Sequence, residues 1–368
     1  MSELVAIDLP GGPAFVEALR RVWGDGDAAL PVDQRLAPAA GEALLDHLAP
    51  SRVIGPGGET RRQGRPISDG DAVVMATSGT TGVPRGVILT HDALAASATA
   101  TSARLGVDPG RHRWLACLPL NHVGGLSVVT RALHTATPVD VLAGFDRAAV
   151  LARSGPEVLV SLVATTLRRV GAEHFHTVVL GGSAPPDAVA PNVVSTYGLT
   201  ETGSGVVYDG VALDGVDVDV TAAGLIRLRG PMLLRAYRDG TVPFDADGWL
   251  PTGDAGALDE GGRLVVYGRV DDMIITGGEH VWPSAVEPIL RRHPGVADVA
   301  VAGRADPEWG QRVVAWVIPR TPSRPPDLDA LRRLVADELA GFAAPRELVL
   351  VDELPKTSIG KIRRKELP

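Results

Sequence analysis

The segment TSGTTGVPRG, from Thr77 to Gly86, has the composition of a loop that binds phosphate groups. It follows an apolar run and precedes a predicted helix that begins near His91. Glycines let the backbone approach a polyanion, hydroxyl groups donate hydrogen bonds to phosphate oxygens, and a strand–loop–helix context supplies backbone N–H groups. A flexible turn is the alternative interpretation. The spacing is not that of a Walker loop, and no GxGxxG motif follows a predicted strand, so neither a P-loop nucleotidase nor a Rossmann site is indicated.

The C-terminal stretch PKTSIGKIRRKEL, residues 355–367, contains every lysine of the chain: Lys356, Lys361 and Lys365. All other basic side chains, histidines aside, are arginines. A lysine ammonium is a compact charge on a flexible stem, and arginine does not replace it where that mobility is needed. The tail is therefore a candidate for a chemical role. An arginine-rich composition with a solvated basic terminus is the alternative interpretation.

Short apolar runs bounded by Gly, Pro or Asp predict the strands that position these segments. The runs cover residues 71–79, 114–120, 176–184 and 192–198, and stretches typical of helices cover 91–105 and 158–170. This alternation predicts an α/β fold with a large N-terminal domain of packed, mostly parallel sheets.

The pattern changes twice in the second half of the chain. From about residue 224, short alternating strands with tight turns predict a β subdomain. Near residues 268–272 a second change separates a small α+β unit. We therefore predict an N-terminal domain over 1–268, a connecting segment over 269–272 and a C-terminal domain over 273–368.

Three local patterns support the C-terminal unit. Ser284 and Glu287 have the S-x-x-E spacing of a helix capping box. VADVAVAG and RVVAWVIPR are typical of paired strands, and residues 327–342 have the apolar spacing of an amphipathic helix.

Composition excludes several classes of protein. The formal net charge of −8 does not favour non-specific nucleic-acid binding. The single cysteine, Cys117, leaves no intramolecular disulfide and fits a reducing compartment. The first residues have no basic and apolar regions of a signal peptide, and no apolar run approaches the roughly 18 residues of a membrane span. The sequence therefore predicts a cytoplasmic protein without a membrane span.

Taken in order, the motifs resemble those of the acyl-adenylate-forming, or AMP-binding, superfamily, which includes acyl-CoA synthetases, luciferases and peptide-synthetase adenylation domains. After the phosphate loop come LPLNHVGGL (118–126), LGGSAPP (180–186), YGLTETG (197–203), GWLPTGDAG (248–256), GRVDDMIITGGEHVWPSAVE (268–287) and PKTSIGKIRR. The resemblance covers the chain from about residue 71 to its end. It implies that a carboxylate is joined to the α-phosphorus of ATP, with release of pyrophosphate, before the acyl group is transferred to a thiol. Such a site must hold two anions together and stabilise added charge, which requires cations and a metal.

The resemblance assigns the nucleotide site. The phosphate contacts are assigned to Thr77, Ser78, Gly79, Thr80, Thr81, Gly82 and Arg85. Thr200 is implied as a further phosphate contact, Glu201 as the Mg²⁺ ligand, Tyr197 as the ring that stacks on adenine with Gly198 beside it, and Asp254 with Arg269 as the pair that binds the ribose hydroxyls. A single carboxylate with phosphate oxygens and waters is a common way to hold Mg²⁺. A surface acid at Glu201 and a turn-forming aspartate at Asp254 are the alternatives.

The same resemblance assigns the tail and its movement. Lys361 is implied as the catalytic lysine that a mobile C-terminal domain brings to the carboxylate and the α-phosphate and then withdraws for thioester formation. Asp271 is implied as the hinge, and Gly278 as a small residue beside the CoA tunnel. Lys356 and Lys365 are expected to make surface contacts. The implied cofactors are ATP, Mg²⁺ and free CoA, the partners are small molecules, and a homo-oligomer is compatible with the sequence.

Within the family, the chain most resembles the branch of o-succinylbenzoate-CoA ligases of menaquinone biosynthesis, which includes compact chains. LPLNHVGGLSVVTRAL, VSLVATTLRRV and IITGGEHVWPSAVE carry this resemblance. It implies an aromatic dicarboxylate, 2-succinylbenzoate, as the acid, with His122 in the acyl pocket and Gly181, Gly182 and Ser183 in its wall. A structural histidine is the alternative for His122. Arg131 is interpreted either as a partner for the second carboxylate or, as the preferred reading, as a surface charge.

Two further hypotheses stay open. One keeps the chemistry and changes the acid to another aryl or short-chain substrate. The other is a catalytically weak adenylate-binding protein, because Arg85 stands where the family usually has lysine and because the phosphate loop begins as early as Thr77. Arginine keeps the positive charge and can bind phosphate through two nitrogens, so the replacement is compatible with activity.

Overall fold

Residues 2–77, 84–182, 190–356 and 362–368 are described here from a computed structural model. They divide into two compact units: Met1–Val218 with Leu228–Leu250, and Asp219–Arg227 with Pro251–Pro368. These units are defined by packing, whereas a hinge is defined by movement. The domain limits 1–268, 269–272 and 273–368 therefore stay a prediction.

The strands are short and occur along the whole chain. In chain order they are β1 (Leu4–Ile7), β2 (Ala28–Pro31), β3 (Arg52–Gly55), β4 (Gly58–Arg61), β5 (Asp71–Thr77), β6 (Arg85–Thr90), β7 (Arg113–Ala116), β8 (Val139–Val141), β9 (Gly155–Leu162), β10 (Phe175–Leu180), β11 (Val193–Gly198), β12 (Gly205–Tyr208) and β13 (Val211–Ala212). They continue with β14 (Asp217–Val220), β15 (Leu225–Arg229), β16 (Ala236–Tyr237), β17 (Leu250–Leu258), β18 (Leu264–Arg269), β19 (Ile274–Thr276), β20 (Glu279–Val281), β21 (Val296–Asp306), β22 (Gly310–Pro319) and β23 (Glu347–Leu350).

The helices lie between the strands. They are α1 (Pro13–Gly24), α2 (Pro38–Leu48), α3 (His91–Arg104), α4 (Val123–His134), α5 (Arg147–Leu151), α6 (Ala164–Val170), α7 (Pro283–Arg291) and α8 (Leu328–Ala336). Single 3₁₀ turns occur at Thr200–Thr202, Val270–Asp272, Gly341–Ala343 and Arg364–Glu366. None of the helices formed by the described residues has the length and apolarity needed to cross a membrane.

The first unit contains two seven-stranded sheets, in the orders β16-β6-β5-β2-β1-β3-β4 and β13-β12-β11-β10-β9-β7-β8. The central pairs β1/β2, β1/β3 and β2/β5 of the first sheet are parallel, and so are the pairs from β8 to β11 in the second. Antiparallel strands extend three of the four edges. Strand β1 is apolar and buried at every position. This pattern is typical of a parallel strand that is covered on both faces of the sheet. The prediction of an α/β fold with mostly parallel central sheets is confirmed.

The carboxyl ends of three strands carry the candidate motifs. Strand β5 ends at Thr77, β10 ends at Leu180 just before the glycine pair, and β11 ends at Gly198 just before Glu201. Strands β10 and β11 are parallel neighbours, with Leu180 opposite Ser195. Ligands of parallel α/β sheets bind beyond the carboxyl ends of the strands, so this topology suits the predicted site.

Two of the predicted elements differ from the structure. The helix predicted over 158–170 is wrong for its first part, because Val158–Leu162 completes strand β9 and only Ala164–Val170 is helical. The apolar run 114–120 ends as a strand at Ala116, before Pro119. The prediction of helix α3 at 91–105 is confirmed by His91–Arg104.

The second unit holds most of a four-stranded sheet, β14-β15-β17-β18, and a sheet of order β20-β19-β22-β21 in which β23 also pairs with β22. Strands β21 and β22 pair with each other, as predicted, and they are antiparallel. Helices α7 and α8 bury Val286, Leu290, Leu331 and Val335 against this sheet.

The predicted capping box of α7 is wrong. Trp282 is the N-cap residue and no side chain caps the helix, because Pro283 takes the first helical position and moves Ser284 inside the helix. The Ser284 hydroxyl donates instead to the carbonyl of Tyr267. The Glu287 carboxylate points into the core, where it accepts the N–H of Val301 at 2.9 Å.

Candidate active site

The two ends of the phosphate loop are held together by a strand pair. Thr77 at the end of β5 lies opposite Arg85 at the start of β6, and the Thr77 hydroxyl donates to the Arg85 carbonyl oxygen at 3.2 Å. Helix α3 does begin at His91, but strand β6 separates it from the loop. The predicted strand–loop–helix context is therefore wrong, and the loop joins two antiparallel strands. Ser78, Gly79, Thr80, Thr81 and Gly82 lie outside the described residues.

The Arg85 side chain is held over an aromatic ring. Its guanidinium carbon lies 3.5 Å from the ring centroid of Tyr237, a cation–π geometry. Its Nη2 atom is 3.5 Å from a carboxylate oxygen of Asp239. The side chain is still 39% exposed, so it is accessible to an anionic ligand. The residue that departs from the family pattern is thus fixed on one face and open to solvent on another.

Glu201 lies in the 3₁₀ turn that follows β11 and is half-buried. Its Oε1 atom accepts a hydrogen bond from the Tyr237 hydroxyl at 2.9 Å, and its carbonyl oxygen accepts the N–H of Leu234 at 2.7 Å. Thr202 is fully buried, and its hydroxyl fixes the turn by accepting from the Leu199 N–H at 2.8 Å and donating to the Ser204 carbonyl at 2.6 Å. The acid is therefore a positioned side chain and not a freely solvated one.

The arrangement fits a magnesium ion held mainly by the substrate. Within the described ranges, no group of three or more His, Cys, Asp or Glu side chains could hold a metal alone. Magnesium is commonly bound by one or two carboxylates together with phosphate oxygens and water. With Oε1 of Glu201 occupied by Tyr237, Oε2 has no hydrogen-bond partner among the described residues. This oxygen is the one that would coordinate the ion.

The backbone next to Tyr197, the residue predicted to stack on adenine, leaves no space for a side chain at Gly198. Tyr197 is half-buried and pairs with Val207 across β11 and β12. A Cβ atom added to Gly198 would lie 2.2 Å from the carbonyl oxygen of Ser204, so no other residue fits this backbone path. Thr200 is half-buried in the turn beside Glu201.

The predicted acyl residues lie in the same unit. His122 is the half-buried N-cap residue of α4, and its Nε2 is 3.4 Å from the side-chain nitrogen of Asn121. Gly181 lies beside β11, where an added Cβ would be 3.0 Å from the Thr196 hydroxyl oxygen. Gly182 has φ +85°, a conformation that favours glycine. Ser183 lies outside the described residues.

The preferred reading of Arg131 as a surface charge is wrong. The residue is 2% exposed and is the seventh of eight consecutive buried residues in α4, from Gly125 to Ala132. Its Nη2 donates to the Ser204 hydroxyl at 2.9 Å, and its guanidinium lies 4.6 Å from the Trp114 ring centroid. Its Nε and Nη1 atoms are buried without hydrogen-bond partners among the described residues. Burial accordingly lowers the pKa of the Arg131 guanidinium.

We expect replacement of Arg131 by methionine to raise the free energy of unfolding by about 1 kcal/mol, because a buried cation and two unpaired N–H groups are removed at similar volume. Chemical denaturation of the ligand-free protein measures this. Arg111→Met, at an exposed position, is the matched control and should change stability by less than about 0.5 kcal/mol. A loss of about 3 kcal/mol or more in Arg131→Met would contradict the expectation, because it would mean that the guanidinium has a stabilising counter-charge.

The predicted ribose pair lies together in the second unit. Asp254 on β17 is directly opposite Arg269 on β18, and Arg269 Nη1 is 3.5 Å from Asp254 Oδ1. The same nitrogen donates to the Thr252 carbonyl at 2.9 Å. Asp254 is 5% exposed, and Gly253 has φ +71°, a conformation that favours glycine, with Arg269 Nη2 2.8 Å from the position of an added Cβ. The structure therefore brings these two residues together as the sequence predicted.

The residues predicted as the hinge and beside the CoA tunnel are both exposed. Asp271 lies in the 3₁₀ turn Val270–Asp272. Gly278 has φ +85°, and an added Cβ would meet nothing within 4 Å, so the backbone angle and not space favours glycine there.

Lys361 lies outside the described residues, but the segments on either side of it are held in place. Lys356 forms a β-bridge with Ile362, and its ammonium pairs with Asp298 at 2.5 Å. The Arg364 guanidinium donates to the carbonyl of Val301 at 3.0 Å and to the carboxylates of Asp272 at 3.2 Å and Glu287 at 2.6 Å. Lys365 is exposed.

Sequence comparison identifies the class of protein that this arrangement defines. Residues 55–235 match the model of the AMP-binding enzyme family, and residues 285–361 match that of the AMP-binding enzyme C-terminal domain. The chain belongs to the AMP-binding enzyme family.

Within that class, the chain is 41% identical to a protein of Mycobacterium tuberculosis named "Probable 2-succinylbenzoate--CoA ligase", over 98% of this chain and 97% of the relative. The structure of o-succinylbenzoate CoA synthetase from Bacillus subtilis, in complex with the acyl-adenylate intermediate OSB-AMP, superposes with a TM-score of 0.88 at 25% identity, over 99% of this chain and 87% of that one. The same synthetase in complex with ATP and a magnesium ion gives a TM-score of 0.83 at 26% identity, over 99% and 89% of the two chains.

Proposed function

We propose that this chain is an ATP-dependent, AMP-forming carboxylate–CoA ligase that converts 2-succinylbenzoate into 2-succinylbenzoyl-CoA in menaquinone biosynthesis. The observation that carries the choice of acid is the 41% identity, over nearly the full length of both chains, to the mycobacterial protein named for that activity. The chain acts in the cytoplasm, which fits its single buried cysteine.

In the first step, a carboxylate oxygen of the acid attacks the α-phosphorus of ATP. The bond from the α-phosphorus to the bridging oxygen breaks, and pyrophosphate leaves with its electron pair. When bound, Mg²⁺ neutralises part of the charge on the phosphate oxygens. Glu201 holds the ion, while Arg85, Thr200 and the loop from Thr77 to Gly82 bind the phosphates. The role assigned to Lys361 is to stabilise the charge that develops on the carboxylate and the α-phosphate during the attack.

The remaining nucleotide contacts orient the adenosine. Tyr197 stacks on adenine beside Gly198, and Asp254 with Arg269 binds the ribose hydroxyls. The Asp254 carboxylate is already oriented by Arg269, so its acceptor oxygens are placed before the ribose arrives.

In the second step, the CoA thiolate attacks the acyl carbon, the bond from that carbon to the AMP oxygen breaks, and AMP leaves. The segment 269–272 with Asp271 is the hinge between the domain 1–268 and the domain 273–368, and its rotation withdraws Lys361 and opens the CoA tunnel beside Gly278. His122, Gly181, Gly182 and Ser183 line the acyl pocket.

The test is to incubate the purified chain with ATP, Mg²⁺, CoA and a panel of acids, and to identify the CoA thioesters by mass spectrometry. The panel contains 2-succinylbenzoate, benzoate, short-chain acids and fatty acids. We expect 2-succinylbenzoyl-CoA to be the dominant product. A different dominant thioester would keep the chemistry and reject the acid. ATP binding without any thioester would favour an adenylate-binding protein with little activity, which Arg85 in place of lysine motivates.

A further inference from the structure

We propose that Tyr237 is a positioning residue that connects Arg85 to Glu201. Its ring supports the Arg85 guanidinium, and its hydroxyl orients the Glu201 carboxylate so that Oε2 faces the metal–phosphate group. No sequence motif pointed to this tyrosine. The proposal rests on the role proposed above for Glu201 as the magnesium ligand.

The contacts of Tyr237 join the two groups through one side chain. The Arg85 guanidinium carbon lies 3.5 Å from the ring centroid, and the phenol oxygen lies 2.9 Å from Glu201 Oε1. Tyr237 is 9% exposed, so the ring has little freedom to move. Two groups that are 116 residues apart in sequence, as their numbers 85 and 201 give, therefore depend on the same ring for their orientation.

The backbone that carries Tyr237 is anchored on both sides. Strand β16 is antiparallel to β6, with Tyr237 opposite Val87. Before it, the Arg235 side chain forms two hydrogen bonds of 2.8 Å with the buried Asp71 carboxylate. After it, the Arg238 N–H donates to the Gly86 carbonyl at 2.7 Å. These contacts fix the position of the Tyr237 ring along β6, near the start of that strand, where Arg85 lies.

The direction of the hydrogen bond orients the carboxylate. The Tyr237 hydroxyl donates to Oε1 of Glu201 at 2.9 Å, which leaves Oε2 on the other side of the carboxylate. A hydrogen bond to a charged acceptor is among the stronger ones in proteins.

The ring also gives a physical reason for arginine at position 85. A planar guanidinium stacks on an aromatic face and keeps its charge, whereas a lysine ammonium is a point charge on a flexible stem. The Asp239 carboxylate lies 3.5 Å from the Arg85 guanidinium, and the Tyr237 ring lies against one of its faces. These two contacts fix the orientation in which the guanidinium would meet a phosphate. Arginine at position 85, where the family usually has lysine, thus has an aromatic partner in Tyr237.

The experiment measures ATP affinity by isothermal titration calorimetry, without an acid substrate so that no turnover occurs, once with Mg²⁺ and once with EDTA. For Tyr237→Phe we expect the affinity with Mg²⁺ to fall about tenfold while the affinity in EDTA stays unchanged, because only the hydroxyl is lost. For Tyr237→Leu we expect the affinity in EDTA to fall as well, because Arg85 loses its support. Tyr208→Phe is the matched control: it deletes another buried phenol hydroxyl, which lies 3.2 Å from that of Thr101, and should leave both affinities unchanged.

An unchanged affinity of Tyr237→Phe with Mg²⁺, or an equal fall with and without it, would overturn the proposal, since the second result is that of a merely structural hydroxyl. Glu201→Gln, titrated in parallel, separates this failure from that of the proposed function. If Glu201→Gln loses the Mg²⁺-dependent affinity and Tyr237→Phe does not, only the role of Tyr237 is rejected. If neither variant loses it, the metal role of Glu201 is rejected, and the proposal for Tyr237 with it.

Discussion

Replacement of Lys361 by alanine is expected to slow adenylation by about 100-fold or more and to leave most of the thioester step from preformed acyl-adenylate. The physical reason is that the ammonium stabilises charge that appears only while the carboxylate attacks the α-phosphorus, and loss of one such donor typically costs about 10²–10³ in rate. In the proposed mechanism the lysine is withdrawn before CoA attacks the adenylate, so the second step should not depend on this charge.

The described residues on either side of the stretch that contains Lys361 are anchored. Lys356 bridges Ile362, and the Arg363 N–H donates to the Pro355 carbonyl at 2.9 Å, so the segments before and after Lys361 are paired. Arg364 ties the end of this pair to Asp272 and Glu287. A lysine side chain is a compact charge on a flexible stem, which suits a group that must reach two anions.

Two half-reactions measure the effect: pyrophosphate release with ATP and acid, and thioester formation from synthetic acyl-adenylate and CoA. Lys365→Ala is the matched control, since it removes the same charge from an exposed position four residues away and should leave both rates near those of the unchanged chain. Equal loss of both half-reactions in Lys361→Ala would contradict the withdrawal of the lysine between steps.

Replacement of Glu201 by glutamine is expected to lower the rate of pyrophosphate release by about 100-fold at saturating ATP and moderate Mg²⁺. Glutamine keeps the shape and an oxygen that accepts from the Tyr237 hydroxyl, so the turn Thr200–Thr202 should persist. It removes the negative oxygen, and magnesium is a hard cation that prefers carboxylates. A lower rate of pyrophosphate release in Glu201→Gln would therefore result from the lost charge at the metal and not from a change in folding.

The measurement is the Mg²⁺ dependence of pyrophosphate release, with thermal unfolding as a check on the fold. Glu173→Gln, at a side chain that is 71% exposed, is the matched control and should follow the unchanged chain. If Glu201→Gln kept its rate and its Mg²⁺ dependence, Glu201 would not be the metal ligand.

The local elements near the site could be predicted because their signals are local. The strands that end at Thr77, Leu180 and Gly198 are apolar runs closed by glycine or polar residues, and the side-chain pattern of a buried strand is visible within a few residues. The pairing of Asp254 with Arg269 followed from family motifs, and the structure places the two residues opposite each other. The pairing of β21 with β22 could be predicted for the same local reason.

The partners of these residues could not be predicted, because they depend on sheet order. Tyr237 reaches Glu201 and Arg85 only because β16 is added to the edge of β6, and no periodicity in the sequence encodes that neighbour. The same holds for Arg364 and Asp272, which are 92 residues apart. The capping box failed because Pro283 occupied the first turn, a competing local signal that the spacing of Ser284 and Glu287 alone did not weigh.

The sequence around Arg131 contains a pattern that predicts burial, but the charge of the residue favours the opposite prediction. Residues 125–132 are buried without interruption, and Arg131 is the one charged residue in this run, which is typical of a helix covered on most of its surface. Burying a charge without a counter-charge costs free energy. A charged residue within an apolar run is therefore a stronger indication of a special role than a charged residue on a polar face.

The proposed reaction has two steps, because one chain forms an acyl-adenylate and then a thioester. The measurement that tests it most directly is to mix the purified chain with ATP, Mg²⁺ and 2-succinylbenzoate without CoA, to follow the products by mass spectrometry, and then to add CoA. The account predicts 2-succinylbenzoyl-adenylate and pyrophosphate first, and 2-succinylbenzoyl-CoA with AMP only after CoA is added. Release of ADP and phosphate, or a thioester that forms with no adenylate before it, would contradict the account.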